Sequence, residues 1–263
     1  MISVSNLRSG YAEGDVLHSI DVDISAGEMV GVLGPNGSGK STFLLTLSGV
    51  LRAKSGTVLV DSLDVSSVRP KDLARRVAVV PQKLEAVSGL TVAELVMMGR
   101  YPYSSFATGR SAADEECVAQ SMDACGVDSL KHRSLDCLSG GELQRAYIAR
   151  ALAQDTDILL LDEAASGLDI GRKIEIYDLL RNLNKQGKTI VTVVHDVNMA
   201  AMYCPRLLFF QQGKIVLDGK PADVLTAENI GQIYETGVQV IPHPVSGVPQ
   251  VLLHAGGLPA DSE

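Results

Sequence analysis

Short apolar runs of strand length, each closed by polar residues or glycine, recur along the 263-residue chain. Met29-Val30-Gly31-Val32-Leu33 is continuous and reads as a buried strand. Val77-Ala78-Val79-Val80, Ile158-Leu159-Leu160-Leu161 and Thr189-Ile190-Val191-Thr192-Val193-Val194 read the same way. Ile20, Val22 and Ile24 alternate instead with Asp21 and Asp23, the period-two pattern of a strand with one wet face. Ser55-Gly56 turns into a further strand over Thr57-Val58-Leu59-Val60. Leu207-Leu208-Phe209-Phe210, the turn Gln212-Gly213-Lys214 and Ile215-Val216-Leu217 predict a terminal hairpin.

Helical texture fills the intervals. Phe43 to Leu47 follows the first buried strand and stops at Gly49. Thr91 and Glu94 have the spacing of a capping box ahead of Leu95-Val96-Met97-Met98, with Gly99 as the stop. Ala112 to Cys125 is helical in pattern and ends at Gly126. Tyr101 to Gly109 reads as a loop. The tail from about residue 238, with Pro242, Pro244 and Pro249, reads as short extended segments, partly ordered. Strands alternating with helices predict an α/β fold: a nucleotide-binding sheet, an antiparallel portion at the start and a helical subdomain over about 83–153.

The candidate chemistry stands at strand ends. Gly34-Pro35-Asn36-Gly37-Ser38-Gly39-Lys40-Ser41-Thr42 joins the first buried strand to its helix. Glycines there let backbone N–H groups close on phosphate, and the helix N-terminus adds partial positive charge. Lys40 is placed to bridge the outer phosphates, and the Ser41 hydroxyl to ligand Mg²⁺. The spacing predicts a nucleoside-triphosphate site. Asp162-Glu163 ends a second strand: Asp162 is suited to the Mg²⁺ shell, and Glu163 to orienting or deprotonating an attacking water. His195 ends a third and is a candidate sensor of the terminal phosphate; Gln82 ends a fourth. Tyr11, on a predicted loop, either stacks on a base or simply packs. In Leu138-Ser139-Gly140-Gly141-Glu142, Ser139 and Glu142 suffice for a capping box, yet the double glycine also opens the backbone to an anion. The residues alone leave both readings open.

Composition narrows the setting. A net charge of -8 argues against a general nucleic-acid surface. No apolar run approaches the ~20 residues of a membrane-spanning helix, and the first residues lack the basic-then-apolar order of a signal peptide. The four cysteines (Cys117, Cys125, Cys137, Cys204) have neither CxxC nor metal spacing, which predicts reduced and mostly buried thiols.

Taken together, these motifs resemble the nucleotide-binding subunits of ATP-binding cassette (ABC) transporters, in order and spacing, from residue 1 to about 235. Tyr11 matches the family's adenine-stacking aromatic, Gly34–Thr42 its Walker A loop and Gln82 its Q-loop glutamine. Leu138–Glu142 matches the LSGGE signature, Asp162 and Glu163 match Walker B and the catalytic glutamate, Ser166-Gly167-Leu168-Asp169 the D-loop, and His195 the switch histidine. The resemblance implies a RecA-like P-loop NTPase core with an antiparallel β subdomain and an inserted helical subdomain, spanning 1–237, followed by an extension over 238–263. It implies an ATPase using ATP and Mg²⁺, with Ser41, Gln82 and Asp162 toward the metal. It also implies a head-to-tail dimer with a second copy, in which Ser139, Gly140 and Gly141 meet the phosphate held by the partner's loop.

Two departures stand out: Ala164-Ala165 replaces the Pro-Thr usual after the catalytic glutamate, and Pro205 stands where the family usually has an acidic residue. Leu90 to Pro102 and the tail His243 to Pro249 are similar to importers of iron-siderophore, haem and cobalamin. Such systems add membrane permease subunits and an extracytoplasmic binding protein, and set this subunit peripherally on the cytoplasmic face. The competing readings are a soluble single-cassette ABC ATPase, for example of iron–sulfur cluster assembly, and a non-hydrolysing scaffold; the Asp162-Glu163 pair disfavours the scaffold.

Overall fold

Three sheets emerge from this pattern in the computed structural model, which describes residues 1–104 and 111–253. In chain order, β1 (Ile2–Tyr11) and β2 (Gly14–Ile24) form a hairpin, then β3 (Met29–Leu33) runs into helix α1 (Lys40–Leu47). Next come β4 (Ser55–Val60), β5 (Leu63–Asp64), α2 (Pro70–Leu73) and β6 (Val77–Val80). Helices α3 (Val92–Met97), α4 (Ala112–Ala124) and α5 (Gly140–Ala153) follow, then β7 (Ile158–Asp162), α6 (Ile170–Lys185), β8 (Thr189–Val193) and α7 (Val197–Tyr203). The chain continues through β9 (Arg206–Gln211), β10 (Lys214–Gly219), α8 (Pro221–Val224), α9 (Ala227–Tyr234), β11 (Val238–Pro242) and β12 (Pro249–Leu253).

The central sheet has the order β10-β9-β3-β8-β7-β6 and is parallel except for β10. Its inner strands are buried on both faces, which is why their sequences read as unbroken apolar runs. The period of two divides each strand between two cores. Val30 and Val32 of β3 pack with Phe43, Leu44 and Leu47 of α1 under the antiparallel sheet β2-β1-β4-β5. Met29 and Leu33 face the opposite core, with Tyr147 and Ile148 of α5 and Ile176 and Leu180 of α6.

Helices α3, α4 and α5 pack on one another beside β6. Both capping boxes read from the sequence form: Thr91 with Glu94 and Ser139 with Glu142. Arg100 ties this region together, pairing with Asp114 at 2.8 Å and donating to the Ala153 carbonyl at 2.8 Å.

The structure differs from the sequence reading in several places. Strand β1 has no clean alternation in sequence because its register shifts between Val4 and Leu7 and again before Ser9, with Asn6 at a φ of 53°. Tyr11 therefore ends a strand instead of lying on a loop. Met98–Tyr103 coils into a 3₁₀ helix, with the Arg100 guanidinium 4.1 Å from the Tyr103 ring centroid; residues 105–109 of the loop reading lie outside the described residues. The tail pairs as the β11–β12 hairpin and is pinned to α7, where Asn198 accepts from the Val251 N–H at 2.7 Å and donates to its carbonyl at 3.1 Å. Residues 254–263 of that extension lie outside the described residues. Of the four cysteines only Cys125 and Cys204 are buried; Cys117 is half-buried and Cys137 exposed.

Gly213, in the β9–β10 turn, locks the antiparallel sheet to the phosphate loop. Its carbonyl accepts from the His18 N–H at 2.8 Å and its own N–H donates to the Ser38 carbonyl at 3.0 Å. At a φ of 73° a Cβ there would meet the Val16 carbonyl oxygen at 1.9 Å. Gly213→Ala is expected to lower the unfolding free energy by about 2 kcal/mol or more, because backbone must move to admit the methyl. Gly126→Ala, with a φ of 63° but open space around it, should cost only about 1 kcal/mol of backbone strain. Urea unfolding of the two variants measures the difference.

Candidate active site

Because β3, β6, β7 and β8 run parallel, the segments that leave them emerge at one edge of the sheet. Register sets their levels: Val32 and Asp162 both lie beside Val193, and Val80 lies beside Leu161. The phosphate loop, Gln82, the Asp162-Glu163 pair and His195 thus leave the sheet within about two residues of a common level.

Helix α1 begins at Lys40 with Gly39 as its N-cap, at a φ of 104° and with no side chain closing the helix end. The first-turn N–H groups are left for an anion. Gly34 has a φ of 139°, and a Cβ there would sit 2.1 Å from the Phe210 carbonyl oxygen, so the loop closes on β9 only as glycine. Lys40 is buried, and its Nζ donates to the carbonyls of Gly34 at 2.8 Å and Pro35 at 2.9 Å. Burial lowers the pKa of this ammonium, while the charges of Glu163 and Asp162 raise it. Pro35, Asn36 and Gly37 form the outer loop, and Thr42 is buried on α1. The Ser38 Oγ is buried and finds no hydrogen-bond partner among the described residues.

Asp162 ends β7. Burial raises its carboxyl pKa, against a hydrogen bond from Ser41 that lowers it. Its Oδ1 is buried and without a hydrogen-bond partner among the described residues. A hydroxyl and an orphaned carboxylate oxygen are hard donors, and they fit a Mg²⁺ ion. Gln82 is exposed on the segment after β6.

Glu163 follows in the left-handed region, at a φ of 53°. For a non-glycine residue that conformation costs about 1 kcal/mol or more, and it turns the side chain across the sheet edge. Its Oε1 lies 2.5 Å from the His195 Nε2. A cavity of about 100 Å³ opens in front of the pair, lined also by Ser166, Asp196, Tyr177 and Met199. That is room for a few waters beside a carboxylate. Ala164 and Ala165, in the turn that follows, are buried in the core.

Lys40, Ser41, Asp162, Glu163 and His195 therefore form one electrostatically coupled group. Other candidates lie elsewhere in the fold. Ser139 and Gly140 are exposed at the start of α5. There Glu142 is occupied in the cap, its Oε2 accepting from the Ser139 N–H at 2.7 Å. Gly140 and Gly141 abut Leu168 and Arg172, and Asp169 caps α6 by accepting from the Arg172 N–H at 3.0 Å. This second group forms a rim of its own. Tyr11 is 48% exposed on the β1–β2 hairpin, whose Val16 and Leu17 pack over Gly39.

One residue of the site gave no sequence signal. Tyr234, on α9, is hydrogen-bonded to the backbone of Gly34, and burial raises its phenol pKa. It lines a cavity of about 310 Å³ beside Asn36 and Gly37. Only the packing of α9 brings it there.

Residues 17–166, which carry the phosphate loop, the rim at Ser139 and the Asp162-Glu163 pair, match the family model described as ABC transporter. The chain belongs to the ABC transporter family. As an ABC transporter ATP-binding subunit it binds and hydrolyses ATP. Among its relatives, the ferric enterobactin transport ATP-binding protein FepC of Escherichia coli (strain K12) is 40% identical over 256 residues, covering 95% of this chain and 94% of that protein. The hemin import ATP-binding protein HmuV of Rhodococcus jostii (strain RHA1) is 39% identical over 237 residues, 90% of this chain and 80% of that one. Among solved structures, a transporter described as of metal-chelate type, in an inward-facing conformation, superposes with a TM-score of 0.84 at 26% identity, over 97% of this chain and 98% of that chain. The dimeric ATP-binding cassette MJ0796, in a post-hydrolysis state bound to ADP and Pi, superposes with a TM-score of 0.74 at 28% identity, over 84% and 98%. The ABC fold of this chain accordingly has the mixed α/β architecture of a P-loop NTPase, and no described helix is long and apolar enough to cross a membrane.

The raised pKa of Asp162 gives a signed prediction. The folded state disfavours its charge, so the penalty is complete above the folded pKa and fades as pH falls through it toward ordinary aspartate values. Asp162→Asn should raise the melting temperature of the nucleotide-free protein at neutral pH, and the gain should shrink on acidification. Calorimetry across the pH range reads this; a melting temperature at or below that of the parent at neutral pH would contradict it.

Proposed function

We propose that the chain is the ATP-hydrolysing subunit of an importer for an iron-siderophore or haem-type chelate, with cobalamin-type chelates in the same chemical class. The observation that carries this reading is the extent of the match: FepC aligns over 95% of the chain, far beyond the motifs that any cassette shares. The soluble iron–sulfur assembly alternative is disfavoured, because FepC is a transport ATP-binding protein and HmuV an import ATP-binding protein.

In this reading, residues 1–237 are the ATPase domain, with the helical subdomain over about 83–153, and 238–263 the extension. Loop N–H groups, Ser38 and Lys40 hold the phosphates, which draws Lys40 away from the Gly34 and Pro35 carbonyls. Tyr11 stacks on the adenine. Mg²⁺ would be held by Ser41, Asp162 and Gln82, and supplies positive charge against the outer phosphates. Glu163 orients the attacking water and takes its proton; His195, in contact with Glu163, holds that carboxylate in place and responds to the terminal phosphate.

Ser139, Gly140, Gly141, Glu142 and Asp169, set apart from the phosphate loop of their own chain, serve the loop of a second copy packed head to tail. The dimeric MJ0796 cassette supports that arrangement. ATP then joins the two copies and hydrolysis releases them, which transmits work to permease subunits on the cytoplasmic face of the membrane. An extracytoplasmic binding protein delivers the chelate, and no nucleic acid takes part.

Glu163→Gln should slow phosphate release by about 10²–10⁴-fold while ATP binding persists, and ATP-bound dimers should accumulate on size exclusion. Turnover unchanged from the parent would remove the catalytic assignment. For the transport role, the tagged chain purified from its own membranes should bring down a polytopic permease, and vesicles holding the complex should take up a ferric siderophore or haem only with ATP. A chain recovered free of any permease would sink the importer reading.

A further inference from the structure

A cleft of about 530 Å³ lies where the ends of α6 and α7 meet the start of α8 and the β11–β12 turn. Arg181, Lys185 and Lys220 line it, and its walls include Met202, Tyr203 and Pro205. None of the three cations has a carboxylate or hydrogen-bond partner among the described residues. Asp178, three residues before Arg181 on α6, is already engaged, accepting from the Tyr203 hydroxyl at 3.0 Å. In a chain of net charge -8, three unpaired cations at one concavity run against the background, and apolar walls focus their field. Pro205 lines the same cleft and brings no charge to it.

We propose that this cleft binds a small amphiphilic anion, with an aromatic or otherwise apolar body against Tyr203, Met202 and Pro205 and a carboxylate or sulfonate at Arg181, Lys185 and Lys220. The volume is in the ordinary range for a small-molecule site, about 300–1,000 Å³. The cleft also shares two helices with the cavity at Glu163 and His195. On α6, Tyr177 lines that cavity and Arg181, one turn on, lines the cleft. On α7, Met199 lines the first, and Met202 and Tyr203 line the second. The Tyr177 and Tyr203 rings are 5.1 Å apart, so the two helices are packed together between the sites. Occupancy of the cleft therefore bears on turnover through α6 and α7.

The test uses the full chain and anilinonaphthalene sulfonate, an aryl sulfonate whose fluorescence reports binding. Saturable binding of one molecule per chain is expected. Arg181→Glu with Lys185→Glu should weaken it on the order of tenfold by removing charge-assisted contacts. Ala222→Trp, which fills the cleft without touching its charge, should weaken it comparably. At saturation the probe should shift kcat for phosphate release at least twofold, with KM for ATP unchanged. No saturable binding, or full affinity in both variants, overturns the site. A raised KM with kcat unchanged places the probe on the nucleotide loop and overturns the proposal as well, and binding that leaves kcat unmoved overturns the link to turnover.

Discussion

The parallel pairing of β3 between β8 and β9 is the constraint from which the site follows. All five residues of β3 are buried, and so are all five of β8, so neither strand can slip by one residue without turning apolar side chains into the wrong core. With register held, the phosphate loop, the acidic pair and His195 leave the sheet at a common edge. Gly34 then closes against the Phe210 carbonyl on the other flank of β3, which sets the angle at which the loop enters α1. Sheet register and loop chemistry are one problem here, solved by the same buried strands.

The edge so formed carries features that a merely stable protein would avoid. Ser38 Oγ and Asp162 Oδ1 are buried without partners among the described residues, and Glu163 is held in the left-handed region. Each costs on the order of 1–3 kcal/mol. The lysine meanwhile occupies loop carbonyls. These are the marks of a surface arranged for the phosphates of ATP, where donors and acceptors wait for partners that the described residues do not supply.

A different logic holds at the rim. Ser139, Glu142 and Asp169 are satisfied locally, as helix caps, and Gly140 and Gly141 lie against Leu168 and Arg172. A preorganised cap keeps the backbone of this turn in one conformation while leaving Ser139 and Gly140 exposed. The C-terminal hairpin adds a further layer: its grip on Asn198 stiffens the helix that begins beside His195, and its turn closes the cationic cleft against α6.

Local order was legible in the chain by itself. The glycine-rich loop between strand and helix, the two capping boxes and the carboxylates after Leu161 follow from neighbours within a few positions, where spacing and propensity act directly. Strand β1 was not legible, since its three register shifts against β2 break its alternation, and the tail hairpin was not, since its prolines read as punctuation. Tyr234 against Gly34, the wedge at Gly213 and the meeting of Arg181 with Lys220 belong to the tertiary structure alone. Each joins segments far apart in sequence, and what brings them together is burial shared across many residues, which no short stretch of the chain encodes.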